Sequence, residues 1–252
     1  MSVIKVEEYL KETRYCDFKN LVIQSKVNEI IKNCKDEREK AVKLFLWVRD
    51  NIKYAFDFWN RKASQTLKRG FGMCTNKTNL LVAMLRAAKS PAGYGILRVN
   101  AQEYFGPIML PMFKDKVSTD SVHIYCYVNL DGKWIKCDPS TDKELSEKTS
   151  YFNYSTILVG WDGTKDEIDR IAPEHIYEDL GLFPNIDDRL EVKPKLFNKF
   201  KLKLGNYYIQ FLRETKDHFS DVADIEPKFL QWFKRRHYLF FISSTFARLH
   251  HL

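Results

Sequence analysis

The residues able to do chemistry stand in the order Cys74, His123 and Asp138, 49 and then 15 positions apart. A thiol, an imidazole and a carboxylate are the nucleophile, general base and orienting group of covalent acyl transfer, provided a fold brings them together. Cys74 follows Gly70-Phe71-Gly72-Met73 and opens the run from Thr75 to Ala88. The glycines permit a tight turn. Leu81, Met84, Leu85 and Ala88 recur at helical spacing, and Pro91 ends the segment. The thiol therefore belongs at the tip of a buried helix. There, unpaired N–H groups and the positive end of the helix dipole favour thiolate, and the same N–H groups can hold an oxyanion. Taken alone, the stretch suits a buried, inert cysteine equally well.

The elements that must position the other two residues are also legible. Val122 to Leu130 and Lys133 to Asp138 are aromatic and β-branched runs separated by Asp131-Gly132, a strong signal for a two-residue hairpin turn. In that register Leu130 faces Lys133 and Asp138 lies opposite Tyr125. The diagonal neighbour of Asp138 on the same face is His123, within reach of two such side chains. Cys126, Val128 and Cys137 point to the other face. A surface ion pair is the bland reading of His123 and Asp138; a thiol at a helix tip changes it to a triad.

Several segments resemble the transglutaminase-like superfamily. Gly72-Met73-Cys74, the Leu-rich helix through Leu85-Arg86-Ala87-Ala88, and Pro91-Ala92 resemble its nucleophile segment. His123 before a strand, Asp131-Gly132-Lys133-Trp134, and Cys137-Asp138-Pro139-Ser140 resemble its second and third signatures. Trp47 to Tyr54 resembles its packing helix, and the likeness covers roughly residues 40–140. The sequence departs from the pattern after the histidine, where Ile124 and Tyr125 stand in place of the usual Trp. The resemblance implies Cys74 as nucleophile, His123 as its base, Asp138 as orienter and the Cys74 N–H in the oxyanion hole. It also places Trp59 near where relatives carry a donor to the oxyanion, and Thr75 where the residue after the cysteine shapes the substrate groove.

Composition bounds the rest. With 44% hydrophobic and 14% aromatic residues an ordinary core can be built, and no run is long enough to span a bilayer. The early acids of the N-terminus do not read as a signal peptide. Five cysteines without a Cys-x-x-Cys pair argue against a zinc site or a disulfide framework and suit a reducing cytoplasm. No acidic loop resembles a calcium cage, so neither metal nor cofactor is expected. The net charge of +8 is uneven: Arg189 to Leu252 carries 13 Lys and Arg against 6 Asp and Glu. That basic surplus, with Lys234-Arg235-Arg236-His237, suits an acidic protein partner or simply a wetted surface. No nucleic-acid-binding signature accompanies it.

Along the chain, Asp36 with Glu39 starts a helix to about Tyr54 with Ala41, Leu44, Phe45, Val48 and Ile52 on one face. Ser64 suits the cap of a short helix. Gly93 to Asn100 reads as a strand, 102–116 as a long loop, 151–160 as a strand, 164–171 as a short helix, and the chain from Tyr207 as helical. The expectation is an α+β protein of transglutaminase-like, papain-like architecture. A helical N-terminal part packs on an antiparallel sheet over residues 1–160, and 161–252 form a basic, mostly helical extension. The expected function is a cysteine enzyme acting on amide bonds of peptides or proteins through an acyl-thioester, with water or an amine as acceptor. The alternatives are amide-bond formation on a carrier-tethered thioester, or a binding module that kept the fold without catalysis.

Overall fold

The computed structural model describes residues 5–105, 109–110, 114, 117–149, 158–168, 171–192, 199–219 and 221–249. Its N-terminal helices begin where short polar side chains can take the first free N–H groups. Asn20 accepts from Val22 N at the start of α1 (Leu21–Ile31), and Asp36 accepts from Glu39 N at 2.8 Å at the start of α2 (Glu37–Asn51). Ala41, Leu44, Phe45 and Val48 are the buried face of α2, as their spacing predicts. The helix stops three residues earlier than expected. Lys53–Tyr54 instead form a short strand, β1, paired in parallel with β2 (Phe71–Gly72). Between them, α3 (Ala63–Arg69) starts at Lys62 rather than at Ser64, whose hydroxyl donates to Asp17 Oδ2 at 2.6 Å.

The helix α4 (Cys74–Ala87) runs through the centre and is buried on every side from Thr75 to Arg86, not on one face only. Such a helix can hold polar side chains only if each finds a partner. Thr78 Oγ1 donates to the Ile124 carbonyl (2.9 Å), Lys77 Nζ to the Arg49 carbonyl (3.0 Å), and Asn79 Nδ2 to the Tyr15 carbonyl (2.9 Å). Arg86 reaches three carbonyls, of Lys11, Ala92 and Pro184. The polar residues of α4 are thus staples that fix neighbouring loops and strands to one rod.

The main sheet is antiparallel in the order β5-β4-β3-β6, with β3 at Ala92–Val99, β4 at Ser121–Leu130, β5 at Lys133–Cys137 and β6 at Ile176–Phe183. A short helix, α5 (Ala101–Phe105), opens the stretch 102–116 expected as loop, much of which lies outside the described residues. Helix α6 (Lys143–Thr149) follows the sheet hairpin; α7 (Asp187–Glu191), α8 (Lys199–Glu214) and α9 (Val222–Leu249) complete the chain.

One expectation is corrected here. Residues 164–168 are not helical; Glu167 N donates to the Lys136 carbonyl and bridges to Cys137, extending the edge of the sheet. Strand β6, which lies beyond the boundary expected at residue 160, pairs antiparallel with β3. Tyr177, Glu178 and Asp179 are all exposed, which removes the apolar alternation that would have marked a strand. The strand expected over 151–160 lies mostly outside the described residues.

Candidate active site

Cys74 is the first residue of α4, where the N–H groups of the opening turn have no intrahelical acceptor. The turn before it is tight because Asn76 folds back: its Oδ1 accepts from Met73 N (3.1 Å) and its Nδ2 donates to the Phe58 carbonyl (3.0 Å). A Cβ on Gly72 would lie 2.5 Å from Asn76 Cβ, so glycine is required there by contact and not by dihedral.

His123 and Asp138 arrive from the hairpin in the register that the sequence sets. Leu130 pairs with Lys133 and the ladder continues to Cys126 with Cys137. Asp131 and Gly132 both have positive φ, 54° and 79°, as a two-residue primed turn requires. One step beyond the ladder, Asp138 Oδ2 sits 2.6 Å from His123 Nε2, with both side chains almost fully buried. The Cys74 thiol hydrogen-bonds the same imidazole, and the Ile124 backbone hydrogen-bonds the sulfur. With Nε2 taken by the carboxylate, Nδ1 is the nitrogen left for sulfur.

The electrostatics follow from that contact. Burial pushes the Cys74 thiol up, but the hydrogen bond and charge of His123 outweigh it and bring the thiol below its ordinary value. Burial pulls His123 down, and the Asp138 charge and hydrogen bond more than reverse this, holding the imidazole well above its usual range. Burial raises Asp138, while His123 and the Ser140 hydroxyl and N–H bring it below the usual carboxylate range. The arrangement therefore favours thiolate beside imidazolium, the reactive state of a cysteine nucleophile.

The other two residues singled out in the sequence are placed differently. Thr75 is buried beside the sulfur, its Oγ1 3.9 Å from Cys74 Sγ. Trp59 packs against the core and donates its indole N–H to the Leu190 carbonyl at 3.1 Å, so that N–H is spent away from the sulfur.

Sequence reading missed five residues at the site. Ser140 gives both its N–H (2.9 Å) and its hydroxyl to Asp138 Oδ1, leaving Oδ2 for the imidazole; the Asp-Pro-Ser run was its only signal. Thr78, one turn below the thiol, ties α4 to the backbone of Ile124, the residue after His123, and so sets the spacing of sulfur and ring. Asp142 is fully buried and accepts both Arg213 Nη groups (2.8 and 2.6 Å), Tyr54 N (2.6 Å) and Leu145 N (3.0 Å). Burial raises it, but Arg213 prevails and brings it down to about 2. Arg213, on α8, also donates to the Tyr54 carbonyl (3.1 Å). One guanidinium thereby joins β1, the partner of the strand that leads into the Cys74 turn, to the loop that starts at Asp138. Lys77, also missed, is buried behind the thiol, and burial brings it down to about 7 despite Asp142 and Asp138 nearby.

Residues 24–139 match the model of the transglutaminase-like superfamily, a segment that contains Cys74, His123 and Asp138 and ends just past the last of them. That segment is similar to the superfamily, and the chain folds as helices packed on an antiparallel sheet. Among solved structures, a proposed cysteine protease from Cytophaga hutchinsonii aligns with 55% of this chain and 43% of its own, at 19% identity and a TM-score of 0.43. A proposed protease from Parabacteroides distasonis aligns with 54% of this chain and 25% of its own, at 16% identity and a TM-score of 0.36. The chain thus spans less than half the length of either. No protein of curated function matches it in sequence. Among the described residues no helix is long and apolar enough to cross a membrane.

Proposed function

We propose that this protein is a cysteine enzyme that acts on amide bonds through an acyl-thioester. The observation that carries the reading is the contact of His123 with both its neighbours: Asp138 at 2.6 Å and the Cys74 thiol. Cys74 thiolate attacks the amide carbonyl, and the oxyanion is met by the N–H of Cys74 at the helix tip. Collapse of the intermediate breaks the C–N bond as imidazolium protonates the departing amine, leaving a thioester on Cys74. The neutral imidazole then takes a proton from water or a primary amine, which attacks the thioester and releases acid or amide together with the thiolate. Asp138 keeps the ring in the tautomer that presents Nδ1 to sulfur.

The superfamily match supports a cysteine enzyme in general terms; the choice of amide substrate and of acceptor is part of the proposal. The five cysteines are all unpaired thiols, which suits a reducing compartment.

Two measurements test the reading. Iodoacetamide should label Cys74 near neutral pH far faster than a free thiol, and His123→Ala should abolish the excess; labelling at the rate of a free thiol would leave a binding module. Mass spectrometry of a quenched reaction with a glutamine peptide, with and without a primary amine, separates hydrolysis from transfer. Absence of any acyl adduct or product overturns the proposal.

A further inference from the structure

An open cleft of about 530 Å³ lies between residues 56–61, Arg69 at the end of α3, Phe71 of β2 and the first turns of α8. That is the size of sites that take small molecules, and no step of the acyl transfer described above uses it. Its geometry is built, not incidental. Asn206 of α8 accepts from Phe56 N (2.7 Å) and donates to the Phe56 carbonyl (2.8 Å), imitating a strand neighbour. Beside it, a Cβ on Gly205 would meet the Phe56 ring at 2.8 Å, so α8 can approach this closely only through glycine.

The lining combines aromatic faces with uncompensated positive charge. Four cations, Arg61, Arg69, Lys199 and Lys203, share the cleft with the single carboxylate of Asp57. Asp57 is buried and holds both guanidiniums, Arg61 at 3.2 Å and Arg69 at 2.8 Å. They are thereby fixed over rings, Arg61 over Phe58 at 5.4 Å and Arg69 over Phe71 at 4.5 Å. Lys203 lies over Tyr207 at 5.7 Å, and among the described residues neither Lys199 nor Lys203 has a carboxylate partner. Like charges gathered in one concavity repel each other and attract a counter-charge. Guanidiniums already immobilised, with N–H groups to spare, suit carboxylate or phosphate oxygens; the rings suit a planar or apolar body.

We propose that this cleft binds a small anion with an aromatic or apolar body, a carboxylate or a phosphate ester, beside the nucleophile. Phe71 precedes Cys74 by three residues, which limits their Cα separation to about 11 Å. Phe71, which lines the cleft, stands that near to Cys74, so the cleft serves as an anionic subsite for substrate or acceptor. That use rests on the acyl-transfer reading; the binding itself does not.

The test is a fluorescence titration of the full chain with anilinonaphthalene sulfonate, an aromatic anion. Displacement is followed with phenyl phosphate, phenylacetate and the neutral benzyl alcohol. One saturable site is expected, emptied by either anion and not by the alcohol, and unchanged in Cys74→Ala. Affinity should fall at least tenfold in Arg69→Glu and in the double variant Lys199→Glu, Lys203→Glu. Both lysines are exposed, so the double variant keeps its fold if Arg69→Glu does not. Equal displacement by benzyl alcohol, or unchanged affinity in the lysine variant, overturns the proposal. Because Cys74→Ala binds without turning over, failure of the cleft and failure of the acyl chemistry give different results.

Discussion

The hairpin of β4 and β5 and the helix α8 hold opposite ends of one loop, Asp138 to Asp142, by different physics. At the first end Asp138 needs only a ladder and a turn: the partner lies 15 residues away and the contact is set by strand register. At the other end Asp142 waits for Arg213, 71 residues later, and the contact exists only if α8 docks. The hairpin is local and cheap in loop-closure entropy, whereas the Asp142 clamp closes a loop of 71 residues. The segment similar to the superfamily holds Cys74, His123 and Asp138, while a segment beyond it braces the loop that carries one of them.

The largest effects should fall on the local end. Asp138→Ala and Cys74→Ala are each expected to lower turnover by about 10⁴-fold, with the fold retained, as thermal melting will show. The same contact sets the pH profile. The thiol is depressed and the imidazole raised, so the reactive ion pair exists between those two ionisations. Activity should rise with pH as the thiol ionises below its ordinary value. It should fall again where imidazolium loses its proton above its ordinary value, and Asp138→Asn should draw in the alkaline limb. A profile with a single acid limb and no alkaline fall would break this account of the local end.

The distant end should cost stability first. Arg213→Met leaves the fully buried Asp142 carboxylate without its cation, a loss of about 3–5 kcal/mol by chemical denaturation. Asp142 ionises in the fold at about 2, below its unfolded value, so its contribution is present above the unfolded pKa and is lost as pH falls toward 2. The wild type should therefore lose its advantage over Arg213→Met in acid. If Arg213→Met is as stable as wild type at neutral pH, the clamp is ornamental and the comparison fails.

Lys77 separates the two ends further, since it faces Asp142, Asp138, Arg213 and Asp50 together. Its folded value, about 7, is below that of the unfolded chain, so between pH 7 and about 10 the unfolded state binds the extra proton and stability rises with pH. Relative to Lys77→Met, wild type should gain about 4 kcal/mol at most across that window, read from denaturant midpoints at each pH. The smallest effect is expected at Thr78→Val, which leaves the Ile124 carbonyl unpaired and costs about 1–3 kcal/mol. It should also slow iodoacetamide labelling of Cys74 by loosening the spacing of sulfur and ring; unchanged labelling would assign that spacing to the hairpin alone.

What could be read from the chain itself is what short-range rules control. The Asp131-Gly132 turn fixed which residue faces which across the hairpin, and with it the meeting of His123 and Asp138. The glycines before Cys74 and the apolar spacing after it fixed a thiol at a helix tip, and Asp36 with Glu39 marked the start of α2. Each is a matter of dihedral preference, alternation or helical period over a dozen residues or so. Only the tertiary structure decided that α4 is buried on every side, because Lys77, Thr78, Asn79 and Arg86 look like a solvated face until the carbonyls they reach are in place. It likewise decided that the half-buried strand at 176–183 completes the sheet and that Arg213 clamps Asp142. Those contacts join segments up to 98 residues apart, where no local period operates and only packing selects the partner.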